Sequence, residues 1–172
     1  MRFSVEHRFA APLDAVEHAM TDPAFFAGLR NLPGIEAPVL LDRREQPGSV
    51  ELDVRYVFSG DLPSVARRVL GRGELAWVQR STVDLARHRT DFTIVPEAHA
   101  DLLTCTGVYL LRSISPVPAD REETARTISG ELRVRVPLLG GRAERAIVGG
   151  LVERLDAESE ALQRWLASHT ER

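Results

Sequence analysis

Two polar residues, His7 and Glu158, stand at positions where the sequence pattern around them is apolar. His7 shares one side of an alternating segment with Phe3 and Phe9, and Glu158 falls within the apolar stripe of a helical segment. A buried polar group without a partner costs about 1–3 kcal/mol, so each position needs an explanation. A histidine there can act as a general base. A carboxylate there can act as an acid, a base or a ligand contact.

A structural explanation competes with the chemical one. His7 would then be a core histidine satisfied by backbone groups, and Glu158 would pair with an arginine that points inward from a strand. Gln79 and His88 also fall on predicted apolar strand faces and have the same two interpretations. His7 and Glu158 are therefore candidate catalytic residues with both explanations open.

No established catalytic motif accompanies these candidates. The chain lacks a phosphate-binding G-x-x-x-x-G-K-[ST] loop, a G-x-S-x-G nucleophile elbow and an H-E-x-x-H zinc motif. Its five histidines are scattered, and its one cysteine, Cys105, lies on an apolar strand face where we expect a core residue. The sequence thus predicts neither a metal nor a cofactor.

The composition narrows the class of protein. The 172 residues are 44% hydrophobic and 27% charged, which predicts a globular protein with one domain over residues 1–172. The net charge of −3 gives no argument for nucleic-acid binding, which requires a basic surface. No segment approaches the roughly 18 apolar residues of a membrane span. With no signal peptide and a single cysteine, we expect a cytoplasmic protein.

The elements that must position these residues follow from the periodicity of the apolar side chains. A strand is predicted over Arg2–Phe9, a pair of short helices within Pro12–Leu32, and six further strands between Ile35 and Val136. From about Gly141 to His169 the apolar spacings of three, four and seven predict one long amphipathic helix. Strands joined by short turns form an antiparallel sheet, and helices confined to the two ends of the chain define an α+β fold.

This order of elements resembles the START-like helix-grip fold of the SRPBCC, or polyketide cyclase-like, superfamily. The resemblance rests on Arg2–Phe9 as the first strand, Pro12–Leu32 as the helical pair, and Arg133–Gly141 as the entry to the long helix. Within the superfamily the chain is most similar to a bacterial branch of unknown function, through Gly60–Pro63 and Val136–Glu144. The resemblance implies a curved sheet of about seven strands, in the order β-α-α-β6-α, wrapped around the C-terminal helix.

The resemblance also implies a cavity between the sheet and the helix that takes a hydrophobic small molecule such as a lipid, polyketide or isoprenoid. A cavity of roughly 300 Å³ or more would support a binding protein or an enzyme, whereas a filled interior would argue against both. The candidate ligand-binding residues are the side chains that we expect on the inner surface: Tyr56, Phe58, Trp77, Phe92, Tyr109, Leu151, Leu155 and Glu158.

Three functions remain open at this point. The chain binds or carries an apolar molecule, or it is a cyclase or aromatase that uses His7 or Glu158, or it is an interaction or regulatory module without a ligand. The segment Asp61–Gly73 adds a further alternative, because its pattern predicts a short helix with apolar residues beside Arg67 and Arg68. It is either a lid with transient contact to a membrane surface or a plug at one end of the sheet.

Overall fold

The computed structural model describes residues 1–60, 75–98, 100–114, 122–136 and 140–169. These residues form seven strands and three helices in the predicted order β-α-α-β6-α, which confirms the α+β class. The strands are β1 (Arg2–Phe9), β2 (Val39–Gln46), β3 (Ser49–Phe58), β4 (Leu75–Asp84), β5 (Arg89–Pro96), β6 (Leu103–Ser113) and β7 (Thr124–Val134). The helices are α1 (Leu13–Thr21), α2 (Pro23–Gly28) and α3 (Gly140–His169).

The strands form one curved antiparallel sheet in the order β1-β7-β6-β5-β4-β3-β2. Neighbours in sequence pair with one another, except that β1 pairs with β7 and so brings the first strand beside the last. The long helix α3 packs across the concave face together with α1 and α2, and Asp22 caps α2 by accepting a hydrogen bond from the backbone N–H of Ala24 at 2.7 Å. This architecture is the helix grip that the sequence resemblance implied.

Two strand boundaries differ from the prediction. β2 begins at Val39 rather than Ile35, because Pro38 has no N–H to donate to a ladder and Ile35 forms only an isolated bridge. His88 lies in the turn before β5 rather than on a strand face. Its backbone has a φ of 50°, in the left-handed region that a strand excludes.

A pair of glycines allows aromatic rings to pack directly onto the sheet. Gly107 of β6 and Gly130 of β7 are register partners. A Cβ on Gly107 would lie 2.6 Å from the ring of Phe92, and one on Gly130 would lie 2.7 Å from the ring of Phe3. Because no side chain larger than hydrogen fits there, both rings are buried against the backbone.

The apolar core consists of two clusters on the inner face of the sheet. One joins α1, α2 and β3 to the later part of α3 around Leu162, and the other joins β5, β6 and β7 to the earlier part of α3 around Leu155. Cys105 belongs to the second cluster and is 1% exposed, which confirms a core role, and burial raises the pKa of its thiol to about 11. Glu158 lies between the two clusters along α3.

Two further predictions concern the segment Asp61–Gly73 and the absence of a membrane span. The segment Asp61–Gly73, with Arg67 and Arg68, lies outside the described residues. Among the described helices, none combines the length and apolarity that crossing a bilayer requires.

Candidate functional site

A cavity of about 40 Å³ lies between α1, α2, α3 and the inner face of β3 to β6. Its apolar lining includes Phe25 and Phe26 of α2 and Leu52 of β3. Its polar lining consists of side chains from the strands and two helices: Glu17, Thr21, Gln79, Ser81, Thr90 and Glu158. A single water needs roughly 10–15 Å³, so the cavity has room for about three. It is therefore far smaller than the cavity of roughly 300 Å³ that a ligand of ordinary size requires.

Three of the eight predicted ligand-binding residues line this cavity, namely Tyr56, Tyr109 and Glu158. The other five lie in the walls behind it. Trp77 stacks on Tyr56 with ring centroids 5.7 Å apart, and Phe58 packs beside them against the first cluster. The remaining three are buried in the second cluster: Phe92, Leu151 and Leu155.

Arg154 of α3 is the central charge of the site. It is 1% exposed, and its guanidinium lies over the ring of Tyr56 at 4.4 Å from the centroid. Its Nη2 donates to Oε1 of Gln79 at 3.3 Å, and its Nη1 lies 3.9 Å from Oε2 of Glu158. All three of these neighbours line the cavity, so Arg154 stands directly behind its polar wall.

The contact with Arg154 determines the orientation of the Gln79 amide. With Oε1 accepting from arginine, Nε2 donates to the hydroxyl of Tyr109 at 3.2 Å and to Oγ of Ser81 at 3.4 Å. The Tyr109 oxygen therefore acts as an acceptor, which leaves its own proton available to a group in the cavity. Burial raises the pKa of Tyr109, so the hydroxyl keeps that proton at neutral pH.

Glu158 is 8% exposed and one turn further along α3 than Arg154. Its Oε2 is buried and has no hydrogen-bond partner among the described residues, and the same holds for Nε and Nη1 of Arg154. The sequence placed Glu158 on the inner face correctly. Its ion-pair partner, however, comes from its own helix rather than from a strand.

A second buried arginine, Arg126 of β7, extends the polar cluster toward the surface. It is 1% exposed and lies over the rings of Phe9 and Tyr109 at 5.2 and 5.8 Å from their centroids. Its Nη2 contacts Nδ1 of His7 at 3.2 Å. No acidic residue in the described part of the chain comes within ion-pair distance of it. Both buried arginines remain charged at neutral pH.

His7 connects this arginine to solvent. Because arginine only donates, Nδ1 of His7 must accept, and Nε2 must carry the proton that it donates to Oδ1 of Asp156 at 2.9 Å. Burial, and then the charge of Arg126, lowers the pKa of His7 against the raising effect of Asp156. Both ring nitrogens are thus engaged, and His7 is not among the residues that line the cavity. Its geometry is that of a residue that positions Arg126.

Glu17 of α1 joins the cavity wall to the turn before β5. Its carboxylate lies 3.2 Å from Nδ1 of His88, and burial raises its pKa. The backbone oxygen of Thr21 also accepts from Nε of Arg43 on β2, at 3.0 Å. These two contacts hold α1 over the cavity.

Sequence reasoning missed three charged residues of the site: Glu17, Arg126 and Arg154. Arg126 was detectable, because it has the same strand parity as the buried Ile128. Arg154 follows Leu151 by three positions and precedes Glu158 by four, so it lies on the same helical face. Long cationic side chains usually reach solvent from such positions, which is why pattern alone did not select it. No group of three or more potential metal-binding side chains occurs within the described ranges.

The strand order and the long helix packed across the concave face of the sheet define the START-like helix-grip fold. Residues 4–166 match the family model described as "Protein of unknown function (DUF2505)", and the chain belongs to this family. A search of curated proteins finds no match.

Solved structures with the same fold extend over nearly the whole chain. The protein TTHA0849 from Thermus thermophilus is 15% identical, with 98% of each chain covered and a TM-score of 0.64. The ZhuI aromatase/cyclase from Streptomyces sp. R1128 is 18% identical, with 99% of this chain and 96% of that chain covered and a TM-score of 0.64. Ara h 8.0201 is 12% identical, with 98% and 99% covered and a TM-score of 0.59. At these sequence identities the likeness shows a shared fold and nothing more.

Proposed function

We propose that this protein binds a small molecule with an apolar body in the space between its sheet and α3. The observation that carries the proposal is the polar cluster at one wall of the cavity. Glu158 lines that wall and Arg154 is buried directly behind it, and each has an atom without a hydrogen-bond partner in the described structure. A core selected only for stability replaces such a pair by apolar side chains at little or no cost.

The remaining lining supports an apolar body for the ligand. Phe25 and Phe26 of α2 and Leu52 and Val54 of β3 also line the cavity, and all four side chains are apolar. Ligand sites typically combine a mainly apolar wall with a few polar groups that fix orientation. Binding would therefore draw its free energy from apolar burial and its orientation from the cluster.

The volume of about 40 Å³ sets a condition on this function. Any ligand larger than a few waters must displace a wall. We infer that α1 and α2 are the wall that moves, because individual side-chain contacts, such as the Glu17–His88 pair and the bond from Arg43 to Thr21, are easier to break than a backbone ladder. The sheet has a continuous hydrogen-bonded ladder and is the more rigid wall.

Native mass spectrometry of the protein purified from cells tests the proposal. We expect a bound mass in the wild type that organic extraction releases. The substitution Ser81→Leu fills the cavity from β4 and should remove that mass. The matched control Thr82→Leu changes the next residue of the same strand, whose side chain is exposed on the outer face, and should retain it.

Naphthalene-based probes provide a second measurement that does not depend on a co-purified molecule. Absence of both a bound mass and any probe binding would show that the interior is a closed core. Equal binding by the Ser81→Leu and wild-type proteins would place the bound molecule elsewhere.

The cytoplasmic location expected from the sequence stays a prediction.

An enzyme of cyclase or aromatase type is the second candidate. It is favoured by the unpartnered oxygen of Glu158 in the cavity wall and by the structural likeness to an aromatase/cyclase. Glu158→Gln separates the two functions. In a carrier this change should alter only the affinity, whereas an enzyme that uses the carboxylate as a base should lose about a hundredfold or more in the rate of the bound substrate.

A further inference from the structure

The two unpartnered atoms of the buried ion pair define a gap of measurable size. Nη1 of Arg154 and Oε2 of Glu158 are 3.9 Å apart. That separation is too long for a direct hydrogen bond, which requires about 2.7–3.2 Å between nitrogen and oxygen. Both atoms are buried and unpaired among the described residues, so an N–H and a carboxylate oxygen face one another unsatisfied.

An oxygen placed about 2.8 Å from each atom would complete both hydrogen bonds, since a triangle with these two sides spans the 3.9 Å gap. That oxygen must accept from the guanidinium and donate to the carboxylate. A hydroxyl group does both. We propose that the ligand carries a hydroxyl group that bridges Arg154 and Glu158; this assignment rests on the proposed function and names the head group of its ligand.

The same geometry disfavours the other common head groups. A ketone or ether oxygen accepts from Arg154 but has no proton for Glu158. An ammonium group donates to Glu158 but cannot accept from Arg154. A carboxylate would face the charge of Glu158 at close range in a water-poor interior, where like charges repel strongly.

Neighbouring groups strengthen the assignment to a hydroxyl. Tyr56 and Tyr109 line the same cavity as Glu158, and Tyr109 has a proton that its bond from Gln79 leaves available. A ring or chain that bears the hydroxyl then extends along the apolar wall at Phe25 and Leu52.

Four probes with one common body test the proposal: 2-naphthol, 2-methylnaphthalene, 2-methoxynaphthalene and 2-naphthoate. Affinities are measured on the wild-type protein by titration followed in amide NMR spectra. We expect 2-naphthol to bind at least about tenfold more tightly than the methyl and methoxy compounds, because hydrogen bonds to charged groups contribute about 1.5–3 kcal/mol. We expect 2-naphthoate to bind more weakly than 2-naphthol, because a carboxylate has no proton to donate to Glu158.

The double variant Arg154→Met with Glu158→Leu removes both partners and retains the volume. It should bind 2-methylnaphthalene at least as well as the wild type and lose the preference for 2-naphthol. The matched control is Glu160→Leu with Arg164→Met, a pair on the same helix with the same 3.9 Å separation whose side chains are 76% and 71% exposed. This control should keep the full preference.

Each outcome decides between the two proposals. If 2-naphthol and 2-methylnaphthalene bind the wild type equally, water rather than ligand supplies the bridging oxygen, and the hydroxyl proposal is wrong while ligand binding stands. If no probe binds, the proposed function fails for apolar bodies, and the head-group assignment fails with it. The four-probe comparison on the wild type is decisive even if the double variant does not fold.

Discussion

Removing one charge of the Arg154–Glu158 pair at a time measures how the interior polar cluster is stabilised. The side chains of Arg154 and Glu158 are only 2% and 10% exposed, so neither charge can recover full hydration when its partner is lost. Arg154→Met leaves a buried carboxylate, and Glu158→Leu leaves a buried guanidinium. The double variant leaves neither charge.

The distance between the Arg154 and Glu158 side chains determines how strongly their charges interact. Two unit charges 3.9 Å apart interact by about 4 kcal/mol at an effective dielectric constant of about 20. Breaking a buried pair by removing one partner typically costs about 3–5 kcal/mol. We expect the lower half of that range for Arg154→Met, because Arg126 remains as a more distant positive charge near Glu158. The double variant should lie within about 1–2 kcal/mol of the wild type, as apolar replacements of buried pairs do.

Urea unfolding followed by far-UV circular dichroism gives the four free energies of unfolding that the double-mutant cycle needs. With about 3 kcal/mol or more lost in each single variant and no more than about 2 kcal/mol lost in the double variant, we expect a coupling energy of at least about 4 kcal/mol between the two sites. In a chain of this size each kcal/mol corresponds to a change in Tm of about 2–4 °C, which provides an independent check.

Additive effects would refute this reasoning. If the destabilisation of the double variant equals the sum of the two single values to within about 0.5 kcal/mol, the two charges do not stabilise one another. The exposed pair Glu160–Arg164, at the same separation, is the reference. Its coupling should be below about 1 kcal/mol, because solvent screens surface ion pairs.

Three further predictions concern the surroundings of the cluster. Burial, with a smaller effect of a neighbouring arginine, holds the pKa of His7 below 6.5, so the folded state resists protonation of this residue. The free energy of unfolding should therefore fall as the pH drops below 6.5 through the lowered pKa. His7→Gln should flatten this part of the plot of unfolding free energy against pH, measured by urea unfolding. Burial raises the pKa of Glu17 above 4.5, so the protonated carboxyl group contributes its full stabilisation below pH 4.5 and this stabilisation is lost as the pH rises through the folded-state pKa. Because Gln resembles the protonated carboxyl group, Glu17→Gln should raise the Tm at neutral pH. Gly107→Ala would place a Cβ 2.6 Å from the ring of Phe92 and should cost about 1–3 kcal/mol, whereas Gly149→Ala in open space on α3 should gain up to about 1 kcal/mol, both measured by urea unfolding.

The opposite results are equally specific. An unchanged acid limb in His7→Gln would show that other groups carry the pH dependence. A lower Tm in Glu17→Gln at neutral pH would show that the ion pair with His88 outweighs the cost of burying the carboxylate. A neutral Gly107→Ala would mean that the sheet relaxes at this position, and the rigid packing of the Phe92 ring would have to be abandoned.

The sequence predicted most of the fold, because the fold depends on periodicity and on a few residues with strong local preferences. Alternation over Arg2–Phe9 and the long apolar stripe of α3 identified the first strand and the last helix almost to the residue. The errors came from local backbone chemistry. Pro38 delays the start of β2, and the left-handed backbone of His88 converts a strand position into a turn.

The candidate site was predictable only in part. Glu158, Tyr56 and Tyr109 were identified because they lie on apolar faces, and they line the cavity. Arg126 and Arg154 were not selected, since the pattern that buries a side chain does not show whether a long cation reaches solvent. Which groups Arg126 and Arg154 contact depends on distances between residues that are far apart in the sequence or on different elements.

By itself the sequence determined the class of the protein: an antiparallel sheet gripped around one amphipathic helix, with a carboxylate on its inner face. Only the tertiary structure decided how much space the grip encloses and how its charges pair. These depend on the packing of rings such as Phe25 and Tyr56, and on a 3.9 Å separation between Arg154 and Glu158. Periodicity specifies which way a side chain points. Volumes and hydrogen bonds depend on displacements of about 1 Å, which only the packed chain defines.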